Sequence, residues 1–248
     1  MSALAVRVAT VLVVWVAWEA LARSGLVYEG IVPSSVSVIV SMIRQLSQRT
    51  IYIDALQSAY EAVVGFAAGS AVGLSLGLLL GARRFADRAA APYLQGLAAT
   101  PKIVFLPILM LVLGVDAGSK IDMGALSAFF PVAIATAEGM RSVDPVLVRV
   151  AQSFNASPWQ IVRTVLLPSL VEPVITGMRL GLGVAIVGVL LAEIKFAKAG
   201  LGHLAIQHYN FFGTADMYAV LLITFALALA ANALMGAVGR RLVRRRSR

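Results

Sequence analysis

Few side chains in this chain can do chemistry, and apolar sequence surrounds most of them. There is no cysteine, and His203 and His208 are the two histidines. Thiolate nucleophiles, disulfides and Cys-based metal sites are therefore excluded together. The histidines stand five residues apart, off the spacing that sets two imidazoles on one helix face, so no metal site is read here. A membrane-embedded enzyme needs His, Asp or Ser clustered at one depth; none is visible, and no catalytic residue is assigned. What remains is ionic: Lys102 and Arg179 within long apolar runs, Glu193 near the far end of the run that holds Arg179, and Glu61 within another. Arg179 follows Pro168 by eleven residues, roughly 16 Å of helix at the usual rise. A lone cation at that depth costs at least about 2.5–3.5 kcal/mol, so each must face a bundle interior or a wet cavity. Two uses stay open: favouring an anionic ligand, or snorkelling and bonding carbonyls freed at Pro101 and at nearby glycines. Glu61 and Glu193 lie nearer the opposite end of their runs and are poor partners for these cations by depth.

The elements that must position these groups are membrane spans. With 60% hydrophobic residues, 13% charged and a mean hydropathy of +0.88 over 248 residues, the chain is an integral membrane protein. Spans are expected at about 5–22, 53–82, 89–114 (interrupted by Pro101), 121–139, 168–194 and 218–238. An Ala20-Leu21-Ala22 sequence leaves a cleaved signal as a rival reading of the first, against which Trp15, Trp18, Glu19 and a single Arg7 argue. Residues 31–50 carry Val36, Ile39, Val40 and Ile43 at helical spacing and predict a short amphipathic helix on the outer surface. Gly65, Gly69, Gly73, Gly77 and Gly81 recur every four residues, and Gly177 and Gly181 repeat the spacing. Such a stripe lets another helix approach to backbone contact; a lining of the path is the alternative. Residues 114–120, GVDAGSK, mimic a phosphate loop but lack the spacing, the Ser or Thr after Lys120 and a preceding strand. No nucleotide site is encoded there.

The connection from 141 to 168 is of a different kind. Asp144-Pro145 and Ser157-Pro158 are both helix starts, because a polar side chain can accept free N–H groups and proline has none to lose; Gln160 completes a capping box. The chain should run helix, break near Asn155, helix, over a coupling unit of 144–167. Val146, Leu147, Val150, Ala151, Phe154, Trp159 and Ile161 are too many apolar residues for an idle solvated loop, so another chain should dock there. With the N-terminus inside and six spans, thirteen Lys and Arg fall inside and six outside, among the latter Lys120. The positive-inside rule then places both termini in the cytoplasm. The arginines of residues 240–248 read as a topology and lipid anchor rather than a nucleic-acid surface, since no aromatic platform accompanies them.

Residues 149–168 resemble the signature loop of bacterial ABC importer permeases: Glu-Ala-Ala, three residues, Gly, nine residues, then Ile-x-Leu-Pro. Here the match is Arg149-Val150-Ala151, Gln152 to Phe154, Asn155, nine residues, and Val165-Leu166-Leu167-Pro168. Arg149 replaces the acid and Asn155 the glycine, and asparagine is the next residue to accept a left-handed turn. The stretches VPSSV, SAYEAVVGF, LGLLLGARR, TPKIVFLPILMLVLGVDAGSKI, ITGMRLGLG and AEIKFAKAGLGHL are similar to the nitrate, sulfonate and taurine branch. Glu61 stands where that family suggests a basic residue. The resemblance implies an all-α type I importer permease with about six transmembrane helices in one domain over 1–248, multi-pass in the inner (plasma) membrane. It implies two permease copies, two cytoplasmic ATPases carrying ATP and Mg, an extracytoplasmic binding protein, and no cofactor on this chain. Arg149, Val150, Ala151, Gln152, Ser153, Phe154, Asn155, Ala156, Ser157, Pro158 and Trp159 would couple to the ATPase, and Lys102, Arg179, Glu61 and Glu193 are candidates for the translocation pathway. An ion-coupled secondary transporter is the alternative; it calls for inverted repeats and intramembrane acids, and the sequence shows no such repeat and few acids. Sulfonate, taurine, nitrate and a heterocycle all remain open as the solute.

Overall fold

A computed structural model describes residues 3–26 and 31–244, which are helical nearly throughout, with no strand among them. Arg245, Arg246 and Arg248 of the basic tail lie outside the described residues. The helices are α1 (Ala3–Arg23), α2 (Ser35–Leu46), α3 (Arg49–Gly81), α4 (Arg84–Ala99), α5 (Leu106–Leu113), α6 (Ala117–Arg141), α7 (Pro145–Ser153), α8 (Pro158–Ile161), α9 (Leu167–Phe196), α10 (Leu201–Asn210) and α11 (Thr214–Arg244). Five stretches are long and apolar enough to cross a membrane: Leu4–Arg23, Arg49–Gly81, Ala117–Arg141, Pro158–Lys195 and Thr214–Arg241. The chain packs as two compact units, Met1–Gln57 with Glu193–Leu227, and Ser58–Ala192 with Ala228–Arg248.

The second unit is built on α6. A Cβ placed on the α3 glycines would strike its backbone or side chains in turn: Gly65 the Ile121 carbonyl, Gly69 that of Ala125, Gly73 that of Phe129 at 2.6 Å, Gly77 that of Ala133 at 2.6 Å, and Gly81 the Met140 side chain. On the other flank, Gly177 and Gly181 of α9 would meet Ala135 at 2.6 Å and Val132 at 3.0 Å. Glycine thus sets the α3–α6 and α6–α9 distances, which is how helices gain dispersion contact where lipid offers no hydrophobic drive. Because the α3 and α6 contacts rise together in residue number, these two helices run parallel. The segment joining them must therefore carry the chain back across.

That segment is bent. The sequence suggests one interrupted span over 89–114, but α4 begins at Arg84, and the limbs Phe85–Ala99 and Lys102–Leu113 meet at 87°. Pro101 is the cause: it has no N–H to give, and it pushes Thr100 into extended backbone, φ −68° and ψ 134°. A short 3₁₀ turn, Lys102–Phe105, restarts the helix, and Gly114 closes α5 at φ +81°. Counted as one crossing, the pair gives six.

The fifth span also differs from expectation. Pro168 does not open it, since helical backbone runs on from Pro158. Residues Val162–Leu166 form a π-helical turn, in which Leu167 donates to Val162 five residues back. The wider turn makes room for the proline ring that an α-helical register would drive into the Thr164 carbonyl.

In the first unit, α2 turns its polar residues inward. Ser41 and Gln45 are buried, while Val36, Ile39, Val40 and Ile43 are exposed on a face suited to lipid. Ser34 caps the helix. Ser41 and Arg44 both donate to Asp216, and Gln45 bonds His208 at 2.8 Å. The end of α1 is held by Trp18 Nε1 donating to the Pro33 carbonyl at 3.1 Å and by Glu19 accepting from Ser35 N–H at 3.0 Å.

Candidate functional site

The connection between α6 and α9 is a helix, a left-handed residue and a second helix start. Asp144 accepts from Val146 N–H at 2.8 Å, and Pro145 fills the first turn of α7. The helix ends in a Schellman motif: Asn155, at φ +54°, donates to Gln152 at 2.9 Å, and Ala156 donates to Ala151 at 3.1 Å. Ser157 then restarts the backbone through a reciprocal capping box, with its N–H on Gln160 Oε1 at 2.7 Å and its hydroxyl accepting from Gln160 N–H at 3.3 Å. Local bonds thus fix the bend, and large apolar groups are left outside. Phe154 is 81% exposed and Trp159 68%, with Val146, Leu147 and Val150 about half exposed beside them. Gln152, Ser153 and Pro158 are exposed, and Ala151 and Ala156 are partly buried. Arg149 is exposed and forms no ion pair among the described residues.

The ionic residues separate. Lys102 lines a chamber of about 450 Å3 in the second unit, between the bend at Pro101 and helices α6 and α9. Its ammonium donates to the Ala98 carbonyl, one of the groups left open where α4 stops, and lies 5.3 Å from the Phe130 ring centre. Arg179 is exposed, does not line that chamber, and donates to Asn232 over 3.5 Å. Glu61 and Glu193 are fully buried. Glu193 accepts from Gly202 N–H at 2.7 Å, while Asp54 accepts from Gly200 N–H at 2.8 Å, so two carboxylates hold the turn into α10. Gly200 is at φ +112°, and its α-carbon faces Glu193 so closely that a side chain there would strike the carboxylate.

Glu61 has a partner that sequence reasoning missed. Lys120, counted above with the outer basic residues, sits in the first turn of α6, 6% exposed, and its ammonium is 3.3 Å from Glu61 Oε1. Once the glycine ladder aligns α3 with α6, the two charges fall side by side; without that register nothing pairs them. Breaking a buried ion pair by removing one of its charges typically costs about 3–5 kcal/mol. Lys120→Met is therefore expected to lower the thermal unfolding midpoint in detergent strongly, and Lys120→Met with Glu61→Gln to recover much of that loss. Asp87 and Arg141, joined at 2.8 Å, tie the start of α4 to the end of α6 and were likewise hidden until the helices were placed.

These features define an all-α polytopic membrane protein with a bent, apolar-tipped element between two of its spans. Residues 69–248 match the family described as binding-protein-dependent transport system inner membrane component. The chain belongs to that family, and is the permease of an ABC importer. It is 32% identical over 210 residues to the protein of Escherichia coli (strain K12) named as an aliphatic sulfonates transport permease, SsuC, covering 85% of this chain and 80% of that one. It is 31% identical over 239 residues to the riboflavin transport system permease protein RibX of Chloroflexus aurantiacus, covering 95% and 88%. The fold is similar to a solved inward-facing structure of the MetNI methionine ABC transporter, with TM-score 0.66 and 20% identity over 78% of this chain and 95% of that one.

Proposed function

We propose that this chain forms, as one transmembrane domain over 1–248, half of the translocation pathway of a bacterial importer for a small organic anion. Two copies pair in the inner membrane, with both termini in the cytoplasm. Six crossings put the termini on one side, and the excess of arginine there makes that side the inner one. An extracytoplasmic binding protein delivers the solute, and two cytoplasmic ATPases, holding ATP and Mg, supply the work. This chain carries neither, and acts by moving.

The observation that carries this reading is the α7–Asn155–α8 unit. Its bend is fixed by its own capping bonds, so Phe154 and Trp159 are presented on a rigid mount at no further ordering cost. An exposed aromatic pair flanked by Val146, Leu147 and Val150 suits a groove on the ATPase, the helix-in-groove mode of recognition. The unit continues through the π turn into α9, so a push on it passes along one unbroken helical run toward the chamber at Lys102. Lys102 is the pathway residue in this reading. Arg179, Glu61 and Glu193 each have protein partners and serve the fold.

Purification of the tagged chain from its native membrane in gentle detergent, followed by mass spectrometry, tests the assembly. An ATPase and a binding protein are expected with it. Recovery of this chain alone, repeated after mild cross-linking, would overturn the reading.

A further inference from the structure

We propose that Arg179 of α9 and Arg240 of α11 form a site, within the second unit, for the phosphate of an anionic phospholipid in the inner leaflet. The inference rests on the importer reading for its topology alone, which puts the C-terminus and the start of α9 inside. The two helices run antiparallel and close: a Cβ on Gly236 would lie against Arg179, and one on Gly239 against Ile175. At Gly236 two cations converge. A Cβ there would be 3.4 Å from Arg240 Nη1 and 3.5 Å from Arg179 Cζ, so the guanidinia flank a notch that a side chain would fill. Like charges held this close repel, and no acid on either helix relieves them. The carboxylates of α9 and α11 are Glu172, Glu193 and Asp216. Glu193 accepts from Gly202 N–H, Asp216 pairs with Arg44, and Glu172 forms no ion pair among the described residues. Arg179 gives one N–H to Asn232, and Arg240 is exposed, so both forks keep donors for an outside anion. Phosphate oxygens match such planar forks.

Depth names the source of the phosphate. Arg179 stands sixteen residues before Lys195, roughly 24 Å of helix, and Arg240 twenty-six residues after Thr214, roughly 39 Å. Across a hydrocarbon core of about 30 Å, Arg240 emerges among the inner headgroups and Arg179 lies about one turn short of them. A long side chain snorkels over that distance. The two guanidinia therefore meet where lipid phosphates are concentrated, between two spans on the cytoplasmic side.

The test compares two lipids with the same acyl chains. The full-length chain with its accompanying subunits, stripped of lipid in detergent, is titrated with dioleoylphosphatidylglycerol or dioleoylphosphatidylcholine, and bound lipid is counted by native mass spectrometry. Phosphatidylglycerol is expected to bind saturably and at least about tenfold more tightly than phosphatidylcholine. Arg240→Gln, and Arg179→Gln with it, should reduce that preference to within about twofold, while Arg241→Gln, which removes an exposed charge from the same tail, keeps it. Arg240→Gln breaks no hydrogen bond to Asn232, and an unchanged unfolding midpoint without lipid shows that the fold is kept. Equal affinity for the two lipids, or equal loss in Arg240→Gln and Arg241→Gln, would overturn the inference. So would absence of saturable binding, the result expected if a carboxylate of another chain covers the pair. Displacement of phosphatidylglycerol by inorganic phosphate at equal concentration would make the occupant a soluble anion and overturn the lipid assignment. The readout needs neither ATP nor the binding protein, so lipid selection can fail while the importer subunits copurify, and can hold while they do not.

Discussion

A chain carrying Phe154→Asp is expected to leave its ATPase behind on purification and to lose uptake, while still reaching the membrane. Phe154 is 81% exposed at the tip of the bend. The capping bonds of Asp144, Asn155 and Ser157 do not involve its ring, so the variant should keep the fold of the unit. A central aromatic anchor in an interface typically contributes about 2–4 kcal/mol, and a buried aspartate adds its own desolvation cost. Together these weaken association by at least about thirtyfold, and more as the groove is drier. Ala151→Asp should have the same effect by a second route. Ala151 is partly buried and stands three residues before Phe154 on the same helix, so on the docking reading a carboxylate there would enter the same interface. Full copurification of the ATPase with Phe154→Asp would remove the docking role from this unit. Arg149 adds a cation where the related loop carries an acid; the matching ATPase groove should present an acidic residue, and Arg149→Glu should weaken copurification.

Gly69→Leu is expected to abolish the folded chain. A Cβ at Gly69 would overlap the Ala125 carbonyl, and backbone cannot rotate away as a side chain can. The α3 and α6 helices would have to separate along their length, giving up the contacts at Gly65, Gly73 and Gly77 as well. The cost is at or above about 3 kcal/mol, the top of the range for overpacking, and a marginally stable protein loses much of its folded population to it. Gly96→Leu is the control: a Cβ there meets nothing within 4 Å, and normal accumulation and a normal unfolding midpoint are expected. If both variants accumulated alike in membranes and unfolded at the same temperature, glycine would not be setting this interface.

What could be read from the sequence was local or periodic. The Asp144-Pro145 and Ser157-Pro158 helix starts depend on bonds within three residues, and a period of four glycines marks one helix face whatever lies opposite. The bend at Pro101 was readable as a break but not as an 87° turn, because its angle follows from how α5 packs on α6 around Leu106 and Met123. Pro168 misplaced the start of the fifth span, since a proline that ends an α-helix is tolerated after a π turn, and no residue type signals that turn. The ion pair of Lys120 with Glu61 needed the register between two helices 59 residues apart in sequence, which composition does not carry. Depth kept Glu61 and Glu193 apart from Lys102 and Arg179, as the structure does, but it did not say what each meets instead. Lys102 reaches a chamber because the chain breaks one residue before it, whereas Glu193 meets Gly202 because the chain turns after it.

The most direct measurement is solute uptake into proteoliposomes containing the purified assembly, with the binding protein outside and ATP inside. Uptake is expected to require both, to fail with a nonhydrolysable ATP analogue, and to be indifferent to an imposed proton or sodium gradient. Uptake driven by such a gradient in the absence of ATP and binding protein would contradict it.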